Sequence, residues 1–313
     1  RSSIRRLEIG STVYPSPGGV QEEVRAVFVE IEPCFVQRPL VNRSGFSASG
    51  VVRAIEGRQL LRAAQVGGLP DARLELSTYD LLRRRGIDPG PWIGEQIDLL
   101  GASPDKPLAA TPTPLDDLWS RPSRRRFRPV ESARSSGFLD VRAATFDELA
   151  CDASTVASQT LEFVVPTRLS PNTAVVAPLL RLDGRVAIGV DDDDLPAAQC
   201  FTGNSELLVA PAWRLPKAQI GLRRTRAFLA EKLRAEYGLE ARRLFRLGGS
   251  YYPSAGQTPE VAHPFVADIF SIQAGALRTL RWIDLAQLVQ HAERLRDGHL
   301  AVIVRRAAHA LAL

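Results

Sequence analysis

Gly10 to Ile31 reads GSTVYPSPGGVQEEVRAVFVEI, and Gly248 to Ile269 reads GGSYYPSAGQTPEVAHPFVADI. Laid over one another without a gap, Gly10, Tyr14, Pro15, Ser16, Gly18, Glu22 and Ile31 fall on Gly248, Tyr252, Pro253, Ser254, Gly256, Glu260 and Ile269. Proline fixes φ and removes a backbone donor, so each Tyr-Pro-Ser step reads as a turn. An apolar strand follows each turn, then an alanine- and leucine-rich helical stretch, an acidic turn and a final amphipathic helix. These closing segments are RQLLRAAQVGGLPDARLELSTYDLLRRRGI and AQLVQHAERLRDGHLAVIVRRAAHALAL. Asp71 and Asp297 stand three residues before Leu74 and Leu300, where a carboxylate caps a helix. The chain therefore reads as two related units.

Between the units, prolines at 104, 107, 112, 114, 122 and 129 prevent any long helix or central strand. Residues 101–136 are accordingly expected to form a Pro/Arg-rich linker that packs through Leu115, Leu118 and Trp119. Residues 1–100 form the first unit and 137–313 the second. In the second unit FLDVRAATFDEL reads as a strand with a turn, and LEFVVPTRL as another short strand. Asp183-Gly184 between two apolar runs is a hairpin signal. SELLVAPAWRLP reads as one strand ending at Pro216. Ala227, Phe228, Ala230 and Leu233 recur at helical spacing before Gly238, which stands where a helix C-cap belongs. This order predicts an α+β layered fold with a mixed sheet.

Of the 313 residues, 45% are hydrophobic and 24% charged, the balance of a soluble globular chain. No apolar run is long enough for a membrane-spanning helix. The net charge of +5 is partly local, in RPSRRRFRPVESAR, Arg121 to Arg134. With no aromatic platform beside it, this run reads as a solvated linker rather than a nucleic-acid site. Cys34, Cys151 and Cys200 have neither metal spacing nor an even count, and read as reduced, half-buried thiols of a cytoplasmic protein. His263, His291, His299 and His309 form no metal-binding motif.

The stretches EYGLEARRLFRLGGSYYPSAG (Glu236 to Gly256) and STVYPSPG (Ser11 to Gly18) resemble the Nudix hydrolases, in the branch of ADP-ribose and sugar-nucleotide pyrophosphatases. The resemblance covers Phe138 to Leu313 as a whole domain and Arg1 to about Glu95 as the back half of another. It implies an α/β/α sandwich with a mixed sheet, and hydrolysis of a phosphoanhydride in a nucleotide-containing small molecule. Helix glutamates would hold Mg2+ or Mn2+. It also implies pairing as a homodimer through N-terminal strands such as FLDVRAATFDEL.

The family signature places Arg-Glu-apolar-x-Glu-Glu-x-Gly on the metal-binding helix, where carboxylates three and four positions apart share a face. Here the matching residues are Glu231-Lys232-Leu233-Arg234-Ala235-Glu236-Tyr237-Gly238, and the upstream glutamate falls on Arg223. Lysine and alanine thus replace two metal-binding glutamates, leaving Glu236, with Glu231 near it, as the candidate metal ligands. In the first copy the corresponding helix would precede Arg1. Two readings follow: a hydrolase whose active box comes from upstream of Arg1 or from another chain, or a pseudoenzyme that binds a nucleotide or a protein partner.

Glu22 and Glu23 are candidate catalytic residues together with Glu236, because the resembling enzymes use loop carboxylates as a general base or metal ligand. Trp213 and Arg214 are positioned to stack on a base and pair with a phosphate. Tyr14 and Tyr252 are the other candidate nucleotide contacts. Asp191 to Asp194 reads as an exposed loop after a strand, or else as a chelating cluster.

Overall fold

The computed structural model describes residues 4–17, 21–32, 54–101, 110–119, 125–128, 139–167, 170–182, 184–216, 221–255 and 257–313. Gly18, Gly256, Cys34, Asp183 and most of the basic run lie outside these residues. β1 (Ile4–Val13) and β2 (Val24–Ile31) form an antiparallel hairpin around the first Tyr-Pro-Ser turn. α1 (Gly57–Val66), α2 (Ala72–Arg84) and the short α3 (Leu115–Trp119) follow. Leu118 is buried, and Leu115 and Trp119 pack beside it. β3 (Leu139–Leu149) and β4 (Thr155–Pro166) make a second hairpin. β3 runs without the expected internal turn, because its alternation is unbroken until Ala150 to Ser154 reverses the chain.

β5 (Asn172–Leu182) and β6 (Arg185–Asp194) meet at the predicted hairpin, with Leu182 opposite Arg185 and Gly184 at φ 78°. α4 (Pro196–Thr202), β7 (Glu206–Val209) and β8 (Ala212–Arg214) come next. The single strand expected over 206–216 is thus two. Pro211 has no N–H to continue a ladder, so β7 pairs with β6 while β8 crosses to β5. α5 (Leu222–Tyr237), β9 (Leu239–Arg246), β10 (Val261–Ile272) and β11 (Arg281–Asp284) complete the sheet. Its order is β11-β6-β5-β10-β9, with β5 and β10 parallel and the other neighbours antiparallel. The chain ends in α6 (Leu285–Gln290) and α7 (Gly298–Ala310). The fold is α+β with a mixed sheet.

Alternation along β5 builds both layers of the core. Val175, Ala177 and Leu179 face a cluster that includes Ile303 and Val304 of α7 and Leu76 of α2. Ala174, Val176 and Leu180 face Leu229 and Leu233 of α5. The inner stripe of α5 is Thr225, Leu229, Leu233 and Tyr237, whereas Ala227 is exposed. Gly238 closes the helix at φ 64° as expected. Cys151 and Cys200 are free and exposed rather than half buried, since one sits in the β3–β4 turn and the other on the outer side of α4. Among the described residues no helix is long and apolar enough to cross a membrane.

The two Tyr-Pro-Ser turns engage the chain reciprocally. Tyr14 N donates to Arg296 O at 2.6 Å, and Gly298 N to Tyr14 O at 3.0 Å. Tyr252 N donates to Pro70 O at 2.5 Å, and Ala72 N to Tyr252 O at 3.2 Å. Each turn therefore seats at the start of the other segment's closing helix. Asp71 and Asp297 cap those helices, accepting from Leu74 N at 3.1 Å and Leu300 N at 2.6 Å. A Cβ on Gly249 would lie 2.3 Å from the Gly67 backbone, so only glycine permits that approach.

Arg306 of α7, with no exposed surface, anchors this contact. Its Nε and Nη2 each reach Glu75 of α2 at 2.7 Å, and Nη1 donates to Leu247 O and Gly249 O. A bidentate pair that also satisfies neighbouring carbonyls offsets its own desolvation. Arg306→Met should lower the unfolding free energy by about 3–5 kcal/mol, because it leaves the buried Glu75 carboxyl without its partner. Urea denaturation checks this, and a loss under about 1 kcal/mol would contradict the anchoring role.

Candidate functional site

Parallel pairing of β10 with β5 brings Glu260, just before β10, beside Thr173 of β5 and Arg214 of β8. Glu260 is 3% exposed. Thr173 Oγ1 donates to its Oε1 at 2.6 Å, Arg214 Nη2 lies 3.2 Å from the same oxygen, and Ser16 Oγ donates to Oε2 at 2.7 Å. These residues line a cleft of about 360 Å3 with Asp191 of β6, Glu236 and Tyr237 of α5, Arg278, and Asp297 and His299 at the start of α7.

The electrostatics follow from burial and pairing. Burial pushes the Glu260 carboxyl up, but the charges of His299 and Arg214 and the bonds from Ser16 and Thr173 outweigh it, so the net shift is downward. Burial dominates at Asp191 and raises it, although Tyr237 Oη donates to Oδ2 at 2.6 Å and Arg278 Nη2 lies 2.7 Å away. Asp297 is also raised by burial. Burial and then Asp191 raise the Tyr237 phenol, which stays protonated as a donor.

The predicted site residues divide between several places. Trp213, Arg214 and Glu236 line the cleft. Glu22 and Glu23 do not. Glu22 instead accepts from Ser254 Oγ at 2.6 Å and pairs with Arg73 at 3.3 Å, mirroring the Ser16–Glu260 bond, while Glu23 is exposed beside Arg25. The proposed set Glu22, Glu23 and Glu236 is therefore not brought together, because the repeat puts Glu260 rather than Glu22 beside α5. Tyr14 is 2% exposed against Ala198 and Leu207, so its ring has no face for a base. Tyr252 is 38% exposed but lies outside the cleft, and Glu231 points to solvent from α5.

Asp191 to Asp194 is not an exposed loop. It is the end of β6, paired with β7, and Asp191 is 6% exposed. The uniform aspartates hid the alternation that buries the first. Arg278 and His299 were not legible as site residues, since Arg278 is 87 positions from Asp191 and no short motif joins them. Glu260 was signalled only by its match to Glu22.

The donor set does not fit a divalent cation. On α5, Lys232 Nζ holds Glu236 at 3.0 Å, and Ala235 beside it offers no ligand atom. Arg214 pairs with Glu260 and Arg278 with Asp191. Among the described residues no group of three or more His, Cys, Asp or Glu is arranged to hold a metal. The two arginines that line the cleft instead set N–H donors beside its carboxylates.

No protein-family model matches the chain, and no curated protein does. Among solved structures, an ADP compounds hydrolase aligns at 13% identity and a TM-score of 0.41, over 58% of this chain and 91% of that one. The NUDIX domain of Shewanella oneidensis NrtR, solved with ADP ribose, aligns at 18% identity and a TM-score of 0.33, over 46% and 89%. Both likenesses are loose.

Because the folded Glu260 carboxyl lies below its ordinary 4.5, its stabilising contribution is fully present above pH 4.5 and is lost as pH falls through the depressed value. The stability gap between the wild type and Glu260→Gln should therefore be widest near neutrality and narrow below pH 4.5. Thermal melting across that range checks it, and a gap that widens on acidification would contradict the pairing.

Proposed function

We propose that the chain is a tandem Nudix-like protein whose cleft binds a nucleotide-containing small molecule without hydrolysing its phosphoanhydride at the α5 box. The observation that carries this reading is the Lys232–Glu236 pair at 3.0 Å, with Ala235 beside it on the helix. A lysine in place of a metal carboxylate repels the dication that phosphoanhydride cleavage uses, yet favours the phosphates themselves.

Trp213 supplies a half-buried aromatic surface, set edge-to-face on Tyr237 at 6.0 Å. Arg278 spends one nitrogen on Asp191, and its side chain is 43% exposed, so further N–H donors of the five on its guanidinium face the cleft. Base on Trp213 and phosphates on Arg278 give a bound pose that leaves the Arg214–Glu260 pair intact. Exposed free thiols at Cys151 and Cys200 suit a reducing compartment such as the cytoplasm.

Titration calorimetry with ADP-ribose should show saturable binding, and incubation with Mg2+ or Mn2+ should release no AMP. Arg278→Ala should weaken binding about tenfold, or 1.4 kcal/mol. AMP release that disappears in Glu236→Gln would overturn the binding-only reading in favour of a hydrolase.

A further inference from the structure

A second cavity, of about 400 Å3, lies at the start of α5 and is lined by Asn172, Ser250 and His263. His263 Nε2 is 2.9 Å from Asn172 Oδ1, and His263 Nδ1 is 2.7 Å from Ser250 Oγ. Asn172 Nδ2 donates to Ser170 Oγ at 2.9 Å, which turns its carbonyl oxygen towards the imidazole. An amide oxygen only accepts, so Nε2 carries the ring proton and Nδ1 presents a lone pair to the Ser250 hydroxyl.

Regular structure holds the three in place. Asn172 opens β5 and His263 lies on the adjoining β10, while Tyr251 exchanges two backbone hydrogen bonds with Ala262 and so fixes Ser250 next to His263. Burial and then Arg246 keep His263 below its ordinary 6.5, in the neutral form that can take a proton. Leu215, Leu222 and Phe265 give the cavity an apolar wall. Gly221 and Leu222, at the start of α5, also line the cavity, and Gly221 gives the helix no capping side chain.

We propose that Ser250, His263 and Asn172 form a nucleophile, base and orienting residue that hydrolyse carboxylic esters of short acyl chains in this cavity. Ser250 Oγ bonds to the acyl carbon as its proton passes to His263 Nδ1, and the carbonyl electron pair moves onto oxygen. Collapse of that adduct breaks the ester C–O bond, and the departing alkoxide takes the proton from Nδ1. Water then adds to the acyl-serine by the same route, releasing the carboxylic acid and restoring Ser250. Asn172 acts as a positioning residue through Nε2–H. This site is separate from the Glu260 cleft and does not depend on nucleotide binding there.

The test is p-nitrophenyl acetate hydrolysis together with fluorophosphonate labelling and peptide mass spectrometry. The wild type should carry the adduct on Ser250. Ser250→Ala and His263→Ala should each lower kcat/KM at least about a hundredfold while remaining folded by circular dichroism. Asn172→Ala should lose about tenfold, and Asn172→Asp should restore it. In Ser250→Cys, iodoacetamide should modify the introduced thiol faster than Cys151 or Cys200, a readout independent of turnover. A folded wild type with neither adduct nor hydrolysis, or Ser250→Ala with an unchanged rate, would overturn the proposal.

Discussion

Each of the five carboxylates that line the Glu260 cleft accepts a hydrogen bond from the protein itself, and three of them face a cation. Arg214 meets Glu260, Arg278 meets Asp191, and Lys232 meets Glu236. A buried carboxylate without such a partner would be driven to its neutral form, and one with a partner has little left for a dication. The chemistry of the cleft therefore follows from how its acidic groups are neutralised.

That neutralisation depends on the whole chain. Ser16 comes from the first Tyr-Pro-Ser turn, Glu260 follows the second, and Asp297 caps the last helix. Reciprocal seating of the turns brings these distant residues to one wall. The Arg306–Glu75 pair holds α7 against α2 beneath them, and the close approach of Gly67 to Gly249 sets the spacing. Packing, capping and site geometry are in this sense one construction.

Much of this was legible from residue patterns. Gly238 as a C-cap, Asp71 and Asp297 as N-caps and the hairpin at Gly184 rest on local backbone chemistry, which the tertiary structure left unchanged. Patterns failed where the decisive contact was long-range. Pro211 split a strand by sending its two halves to different partners, and four identical aspartates gave no sign that the first would be buried. Tyr14 was a candidate nucleotide contact, yet its ring is buried against Ala198 of α4 and Leu207 of β7. The Ser250–His263–Asn172 constellation spans 91 positions and no spacing rule finds it.

The carboxylates of the cleft are thus engaged by the chain's own donors rather than left open to a dication. Titration of the full chain with Mn2+, followed by electron paramagnetic resonance, tests this most directly. The expected result is no stoichiometric binding, with the free Mn2+ signal rising in proportion to the metal added. Saturable uptake of one or more Mn2+ per chain, lost in Glu236→Gln or Glu260→Gln, would contradict it.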